Sequence, residues 1–126
     1  TINNCNLNNF AFISLDIERS QNNNFNNISI NNTSDDESSG TGIYLEEVES
    51  SVFDNITVDS SYIDGMDIIL SNNNTFSNSL ITSNYEAGIY LEDSSNNIFD
   101  NINNSIDKEY DYYDDINNIM KSYENE

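Results

Sequence analysis

One segment of fourteen residues recurs along this chain at a fixed spacing of 23 residues. It reads GIYLEEVESSVFDN at residues 42–55, GMDIILSNNNTFSN at residues 65–78 and GIYLEDSSNNIFDN at residues 88–101. A period in this range is typical of repeat proteins, in which each unit is too small to bury its own apolar face and stacks on its neighbours. The spacing therefore predicts a solenoid.

Apolar residues alternate with outward-facing residues directly after each glycine of the repeat. This in–out–in pattern has the period of a half-buried β-strand. A further interior position lies eleven residues after the glycine and is followed by apolar positions three and five residues later, which predicts a second and a third short strand. The interior columns of the first strand are Leu15, Ile43, Met66 and Ile89, then Ile17, Leu45, Ile68 and Leu91. The column that opens the second strand is Ile2, Phe25, Phe53, Phe76 and Phe99.

Stacking such coils gives an all-β chain, a single-stranded parallel β-helix with 23-residue coils. We expect about four to five coils over residues 1–105, truncated on the N-terminal side, with further coils of the same, longer chain as packing partners. The repeat fails at Asn104. Beyond it, residues 106–126 are predicted to form either a short capping helix or an acidic tail, because Tyr113, Ile116, Met120 and Tyr123 have helical spacing.

One asparagine column hardly varies between coils. Each of its members lies two residues after the phenylalanine position or its equivalent: Asn4, Asn27, Asn55, Asn78 and Asn101. Identical amides that recur at every coil can hydrogen-bond to each other along the stack. We therefore predict a structural asparagine ladder with inaccessible, buried members.

The unit GIYLEDSSNNIFDN resembles the parallel β-helix repeat of the NosD-type family, and the resemblance extends over roughly Ile2–Asn104, most of the chain. It implies a right-handed parallel β-helix of the pectate-lyase-like class. The same repeat occurs in copper-pathway proteins, in carbohydrate-active enzymes and in Asn/Thr-rich, adhesin-like surface proteins of methanogenic archaea. The Asn-rich, acidic and proline-free character of this chain is most similar to the last group, which implies an extracellular or cell-surface location.

Charge limits the partners of the chain. It contains 23 acidic residues and three basic ones, a formal net charge of −20. Binding to nucleic acid needs Lys and Arg side chains that replace the counterions of phosphate groups, and anionic membrane surfaces attract basic segments. We therefore expect neither partner.

The residue types also argue against a cofactor or a defined metal site. The chain has no histidine, and its single cysteine, Cys5, shares an interior column with Ile28 and Ile56. Copper sites prefer His, Cys and Met ligands. Calcium is a weaker alternative, because acidic residues cluster at positions 35–37 and 111–115.

An outward-facing column on the first strand is the main candidate for ligand binding. It consists of Asp16, Tyr44, Asp67 and Tyr90 and is flanked by Glu18, Glu46, Ile69 and Glu92. In register these side chains form one stripe, in which tyrosine rings offer apolar faces to sugar rings and carboxylates accept hydroxyl hydrogen bonds. The stripe predicts a non-enzymatic, structural or adhesive chain that binds a neutral glycan or cell-wall component; the alternative interpretation is a solvated sheet face.

A carbohydrate-active enzyme, or a fragment of one, is the competing hypothesis. Glycoside hydrolysis needs two carboxyl groups at a suitable separation. Asp16 and Asp67 share the outward column two coils apart and are the candidate catalytic pair.

Overall fold

The computed structural model describes residues 1–31, 33, 40–105, 110–114 and 119–125, with side chains up to residue 103. The strands of these residues are β1 (Ile2–Asn8), β2 (Ile13–Gln21), β3 (Asn24–Asn31), β4 (Thr41–Glu49), β5 (Val52–Asp59), β6 (Met66–Ile69), β7 (Thr75–Thr82), β8 (Ala87–Glu92), β9 (Ile98–Ser105), β10 (Tyr110–Asp114) and β11 (Ile119–Asn125). The part of the chain that is described contains no helix that could cross a membrane.

Two parallel sheets form the body of the protein. The first has the strand order β1-β3-β5-β7-β9-β11 and the second the order β10-β8-β6-β4-β2. Each strand pairs with the equivalent strand of the next coil, so that Phe53 lies opposite Phe76 and Phe76 opposite Phe99. The all-β, parallel architecture predicted from the 23-residue period is confirmed.

The predicted second and third strands are one continuous strand with a bend. In β5 the bend lies at Asn55, which has a φ of 55° and is left out of the pairing between β3 and β5. A left-handed residue turns the chain without ending the strand, because pairing resumes one residue later at Ile56. The prediction of two separate strands was wrong for this reason.

The interior is a column of stacked rings between aliphatic side chains. Phe25, Phe53, Phe76 and Phe99 stack with ring centroids 4.8–4.9 Å apart and nearly parallel planes. Offset-stacked aromatic pairs add stability beyond their buried area. The repeat glycine lies beside this core, and a Cβ at Gly65 would lie 2.6 Å from the carbonyl oxygen of Gly88 and 2.5 Å from Ile81 Cγ2. The close approach of successive coils therefore explains why glycine recurs at this position of the repeat.

Buried polar side chains connect the coils at the edges of the core. Asn74 Oδ1 accepts a hydrogen bond from the Ser51 backbone N–H, and Asn97 Oδ1 accepts one from the Asn74 N–H, both at 2.9 Å. The amide groups of the two asparagines donate to the carbonyl oxygens of Val48 and Ser71. Both asparagines are 0% exposed, and their side-chain oxygens satisfy the Ser51 and Asn74 N–H groups, which would otherwise be buried without a partner.

The C-terminal segment extends both sheets. β10 pairs in parallel with β8, and β11 pairs in parallel with β9 with a register irregularity near Ser122. The described residues between 106 and 126 are strands, so the capping helix, one of the two alternatives for this segment, was wrong, as was the expectation that the coils end at Asn104. The division of the chain at residue 105 stays a prediction.

Candidate functional site

The outward column forms one continuous stripe on the second sheet. Asp16 lies opposite Tyr44, Tyr44 opposite Asp67, and Asp67 opposite Tyr90. The flanking column of Glu18, Glu46, Ile69 and Glu92 is in register beside it. We call these eight residues the outer stripe. Strands β2, β4, β6 and β8 hold them on a rigid sheet, so their spacing is fixed by the backbone ladder.

The two tyrosines make the same contact. Tyr44 Oη donates to Glu46 Oε2 at 3.4 Å, and Tyr90 Oη donates to Glu92 Oε2 at 3.3 Å. Both rings are half-buried, and each leans along its own strand towards the glutamate two residues further on. Burial and the nearby charge of Glu46 raise the pKa of Tyr44, so the phenol keeps its proton and remains a donor at neutral pH.

Asp67 differs from the other carboxyl groups of the outer stripe because it is largely desolvated. Thr41 Oγ1 donates to Asp67 Oδ2 at 3.3 Å, while Asp67 Oδ1 is buried and accepts no hydrogen bond from the described residues. Desolvation, followed by the hydrogen bond to Asp64 and its negative charge, raises the pKa of Asp67 to about 8. Asp67 is therefore protonated at neutral pH, and its proton is shared with the Asp64 carboxylate.

Asp64 belongs to the site although the sequence analysis did not identify it. It is 8% exposed, and its Oδ1 accepts a hydrogen bond from the Ala87 backbone N–H at 2.7 Å. Burial raises the pKa of Asp64 as well. A signal was present in the sequence, since Asp64 occupies a column with the small residues Thr41 and Ala87, where a carboxyl group is out of place.

The structure does not bring together the predicted catalytic pair. Asp16 and Asp67 share a column, but the Tyr44 side chain lies between them in register. Asp16 is exposed, and the carboxyl group next to Asp67 is that of Asp64. Two carboxyl groups that share a proton leave no space between them for a sugar or a water molecule. A catalytic role of Asp16 and Asp67 stays a prediction.

The asparagine ladder is present, but it lies on the outside and is interrupted. Asn27 donates to Asn4, Asn55 to Asn27 and Asn101 to Asn78 through their amide groups, at 2.6, 3.0 and 2.8 Å. Asn78 bonds to Asp54 Oδ1 at 2.7 Å instead of to Asn55. All five members are exposed, so the expectation of buried amides was wrong. All five also have a φ of 48–57°, a left-handed conformation that asparagine tolerates well.

Other polar features of the described surface lie outside the outer stripe. A cavity of about 220 Å³ is lined by Arg19, Ser20, Gln21, Glu47 and Glu49, with an exposed ion pair of 3.4 Å between Arg19 and Glu47. The described residues contain no group of three or more His, Cys, Asp or Glu side chains that could hold a metal ion. The acidic clusters considered for calcium, at residues 35–37 and 111–115, lie outside the residues with described side chains.

Comparison with known proteins agrees with the parallel coils. The family model described as "right handed beta helix region" matches residues 1–118, most of the chain. No curated protein and no solved structure matched. Together with the register of the two sheets, the match over residues 1–118 shows that this chain belongs to the right-handed β-helix family.

Proposed function

We propose that the chain is a non-enzymatic β-helix segment of an extracellular or cell-surface protein, which binds neutral glycans through the outer stripe. The observation that carries the proposal is the continuous register of Tyr44, Asp67 and Tyr90 on the outward face of the second sheet. Aromatic rings beside hydrogen-bonding groups on a rigid surface suit sugar rings. The resemblance to adhesin-like surface proteins of methanogenic archaea supports the location.

The charge of the chain adds selectivity to this proposal. With a net charge of −20, the protein repels acidic glycans and nucleic acids over a distance set by the salt concentration. Neutral sugars are not repelled. The phenol of Tyr90 can donate a hydrogen bond to a sugar hydroxyl group, and the Glu92 carboxylate can accept one.

A glycan array and one double variant test the proposal. The parent protein should bind at least one class of neutral glycan weakly, and the Tyr44→Ala/Tyr90→Ala variant should lose this binding while it keeps the β-rich circular dichroism spectrum of the parent. The matched control is Tyr62→Ala/Tyr85→Ala, which removes a stacked tyrosine pair, with ring centroids 5.0 Å apart, outside the outer stripe. Absence of binding by the parent, or binding that survives in the first variant, would contradict the proposal.

A carbohydrate-active enzyme is the second candidate, and the burial of Asp67, which raises the pKa of this carboxyl group to about 8, favours it. A carboxyl group that keeps its proton near neutral pH is what a general acid requires. Turnover of oligosaccharides by the parent, abolished in Asp67→Asn, would support this function. Equal turnover by both proteins, or none by the parent, would exclude Asp67 as the acid.

Packing of the first coil supports the proposal that further coils of a longer chain are partners of β1 and β2. Ile2 is 46% exposed and Leu7 is partly buried, whereas the equivalent residues of the second coil, Phe25 and Ile30, are 5% and 0% exposed. A chain that carries such coils before β1 should therefore melt at a higher temperature than residues 1–126 alone. Equal melting temperatures would contradict a packing role of such coils.

A further inference from the structure

The outer stripe contains a gap between two aromatic rings. Successive coils are 4.8–4.9 Å apart, as the stacked phenylalanine rings measure. Tyr44 and Tyr90 are two coils apart in one column, with the small side chain of Asp67 between them. Two steps of this spacing put the two rings about 10 Å apart. A six-membered ring inserted midway would then lie about 5 Å from each tyrosine, which is an ordinary stacking distance.

The two rings have matching orientations. Each phenol oxygen reaches the glutamate two residues along its own strand, Tyr44 to Glu46 and Tyr90 to Glu92. The rings therefore lean in the same direction, and the gap between them continues over Ile69, which lies opposite both glutamates in register. Ile69 and Asp67 are half-buried and form the floor of the gap. The gap thus has two aromatic walls, an apolar floor at one end and a carboxyl group at the other.

The surroundings of the gap are acidic. Glu46 and Glu92 flank its walls, Glu18 lies close enough to Tyr44 to act on its pKa, and Glu86 acts in the same way on Asp67. Among the side chains that the structure describes, Arg19 is the only basic one, and Glu47 pairs with it. A positive charge between the two rings would gain both from the ring faces and from the carboxylates.

We propose that Tyr44, Asp67, Ile69 and Tyr90 form a slot that takes one pyranose ring carrying a free amino group, a basic amino sugar such as an unacetylated hexosamine unit. The sugar ring lies between the tyrosine faces. Its ammonium group lies beside the carboxylate of Glu46 or Glu92, and one of its hydroxyl groups contacts the carboxyl group of Asp67. This inference rests on the proposed function, because it takes the outer stripe as a glycan-binding surface, and it goes beyond it by giving a cationic amino sugar preference over the neutral glycans.

A set of matched oligosaccharides tests the ligand class. Titration calorimetry or NMR should compare glucosamine oligomers, their N-acetylated equivalents and glucose oligomers of the same length at low salt. We expect the glucosamine oligomers to bind about tenfold more tightly than both others, with a difference that shrinks as salt is added. Equal binding of all three would overturn the amino-sugar slot and leave the proposed function intact, whereas no binding of any would overturn both. Equal binding of tetramethylammonium would show that the slot recognises charge and not a sugar.

A substitution that fills the gap tests its geometry. Asp67→Tyr places a third ring between Tyr44 and Tyr90, in a column that already accepts tyrosine in the neighbouring coils. If the rings form a slot, this variant folds and loses binding of the glucosamine oligomer. If they form a flat platform instead, the added ring strengthens binding, and the slot is overturned.

The matched control for this substitution is Leu80→Tyr, which adds a ring at an exposed outward position of β7 in the first sheet and should leave binding unchanged. If Asp67→Tyr does not fold, Tyr44→Ala provides the second measurement. It opens the slot on one side, and it should weaken binding of glucosamine oligomers more than binding of glucose oligomers. An equal loss for both oligomers would contradict the slot.

Discussion

Asn74→Ala should be one of the most destabilising substitutions of a polar residue in this protein. The Asn74 side chain is fully buried, accepts a hydrogen bond from the Ser51 N–H and donates one to the Val48 carbonyl, both at 2.9 Å. Alanine leaves the Ser51 N–H buried without a partner, whereas the Val48 carbonyl oxygen keeps the hydrogen bond from the Asn72 N–H at 3.0 Å. The unsatisfied N–H costs about 1–3 kcal/mol and the lost hydrogen bond to Val48 about 0.5–1.5 kcal/mol, so the free energy of unfolding should fall by about 1.5–4.5 kcal/mol. This is a large fraction of the roughly 5–15 kcal/mol that stabilises a typical domain.

Urea denaturation followed by circular dichroism measures this loss. The neighbouring residue Asn73 provides the control, since it is exposed and has a φ of 59°, which glycine adopts without strain. Asn73→Gly should therefore change the free energy of unfolding by less than about 1 kcal/mol. Similar losses for Asn74→Ala and Asn73→Gly would refute the claim that buried amides hold successive coils together.

Three further predictions concern other parts of the fold. The free energy of unfolding should fall as the pH rises from about 4 to about 8, because folded Asp67 keeps its proton up to a pKa of about 8 whereas the unfolded chain loses it near 3.8. Asp67→Asn should make the free energy of unfolding less dependent on pH, and an unchanged dependence would contradict the raised pKa. Gly65→Ala should lower stability by about 1–3 kcal/mol, measured by thermal melting, because its Cβ would lie 2.6 Å from the Gly88 carbonyl oxygen. Asn55→Ala should lower the free energy of unfolding by about 1 kcal/mol more than Asn55→Gly, since glycine adopts the φ of 55° more easily than alanine. Equal losses would mean that only the hydrogen bonds of the Asn55 side chain matter.

The 23-residue period was sufficient to predict which residues lie opposite each other. The columns of Ile43, Met66 and Ile89 and of Phe53, Phe76 and Phe99 are paired as the spacing indicates. Register in a parallel stack follows from repetition, because shifting one coil by one residue would turn every interior side chain outward. The sequence therefore predicted the stripe of outward residues as reliably as it predicted the core.

The C-terminal error has a physical origin in the repeat itself. Met120 and Tyr123 are three residues apart, which is also a helical spacing. In the structure Met120 lies opposite Phe99, and Tyr123 lies opposite Ile102. Phe99 and Ile102 are themselves three residues apart because a left-handed asparagine, Asn101, bends the strand between them. The same spacing therefore arises from a bent strand, and an unpaired edge of β9 favours a further strand over an isolated short helix, which is marginal in water.

The pairing of Asp64 with Asp67 was harder to predict for a different reason. The two residues are three apart, on either side of Gly65 and Met66. In a straight strand, residues three apart point to opposite faces. Asp64 lies outside β6, in the loop before it, so the alternation rule that located Asp67 does not apply to it. The conformation of this loop brings its carboxyl group next to that of Asp67, and no periodic pattern encodes that conformation.

The asparagine column shows that repetition of a residue type reports the conformation of the backbone as well as its hydrogen bonds. Asn78 bonds to Asp54 and not to Asn55, so the amide ladder is broken between these two coils. Asparagine nevertheless occupies both positions, and the φ values of 55° at Asn55 and 48° at Asn78 remain left-handed. The requirement for this conformation persists where the ladder does not, so the backbone bend accounts for the column at that step. Other left-handed bends are occupied by residues such as Glu47 and Leu70, and the residue type at those bends differs between coils. Hydrogen bonding of the asparagine side chain to the next coil is therefore the second reason for the column. It explains why only this bend is occupied by asparagine in every coil with a described side chain.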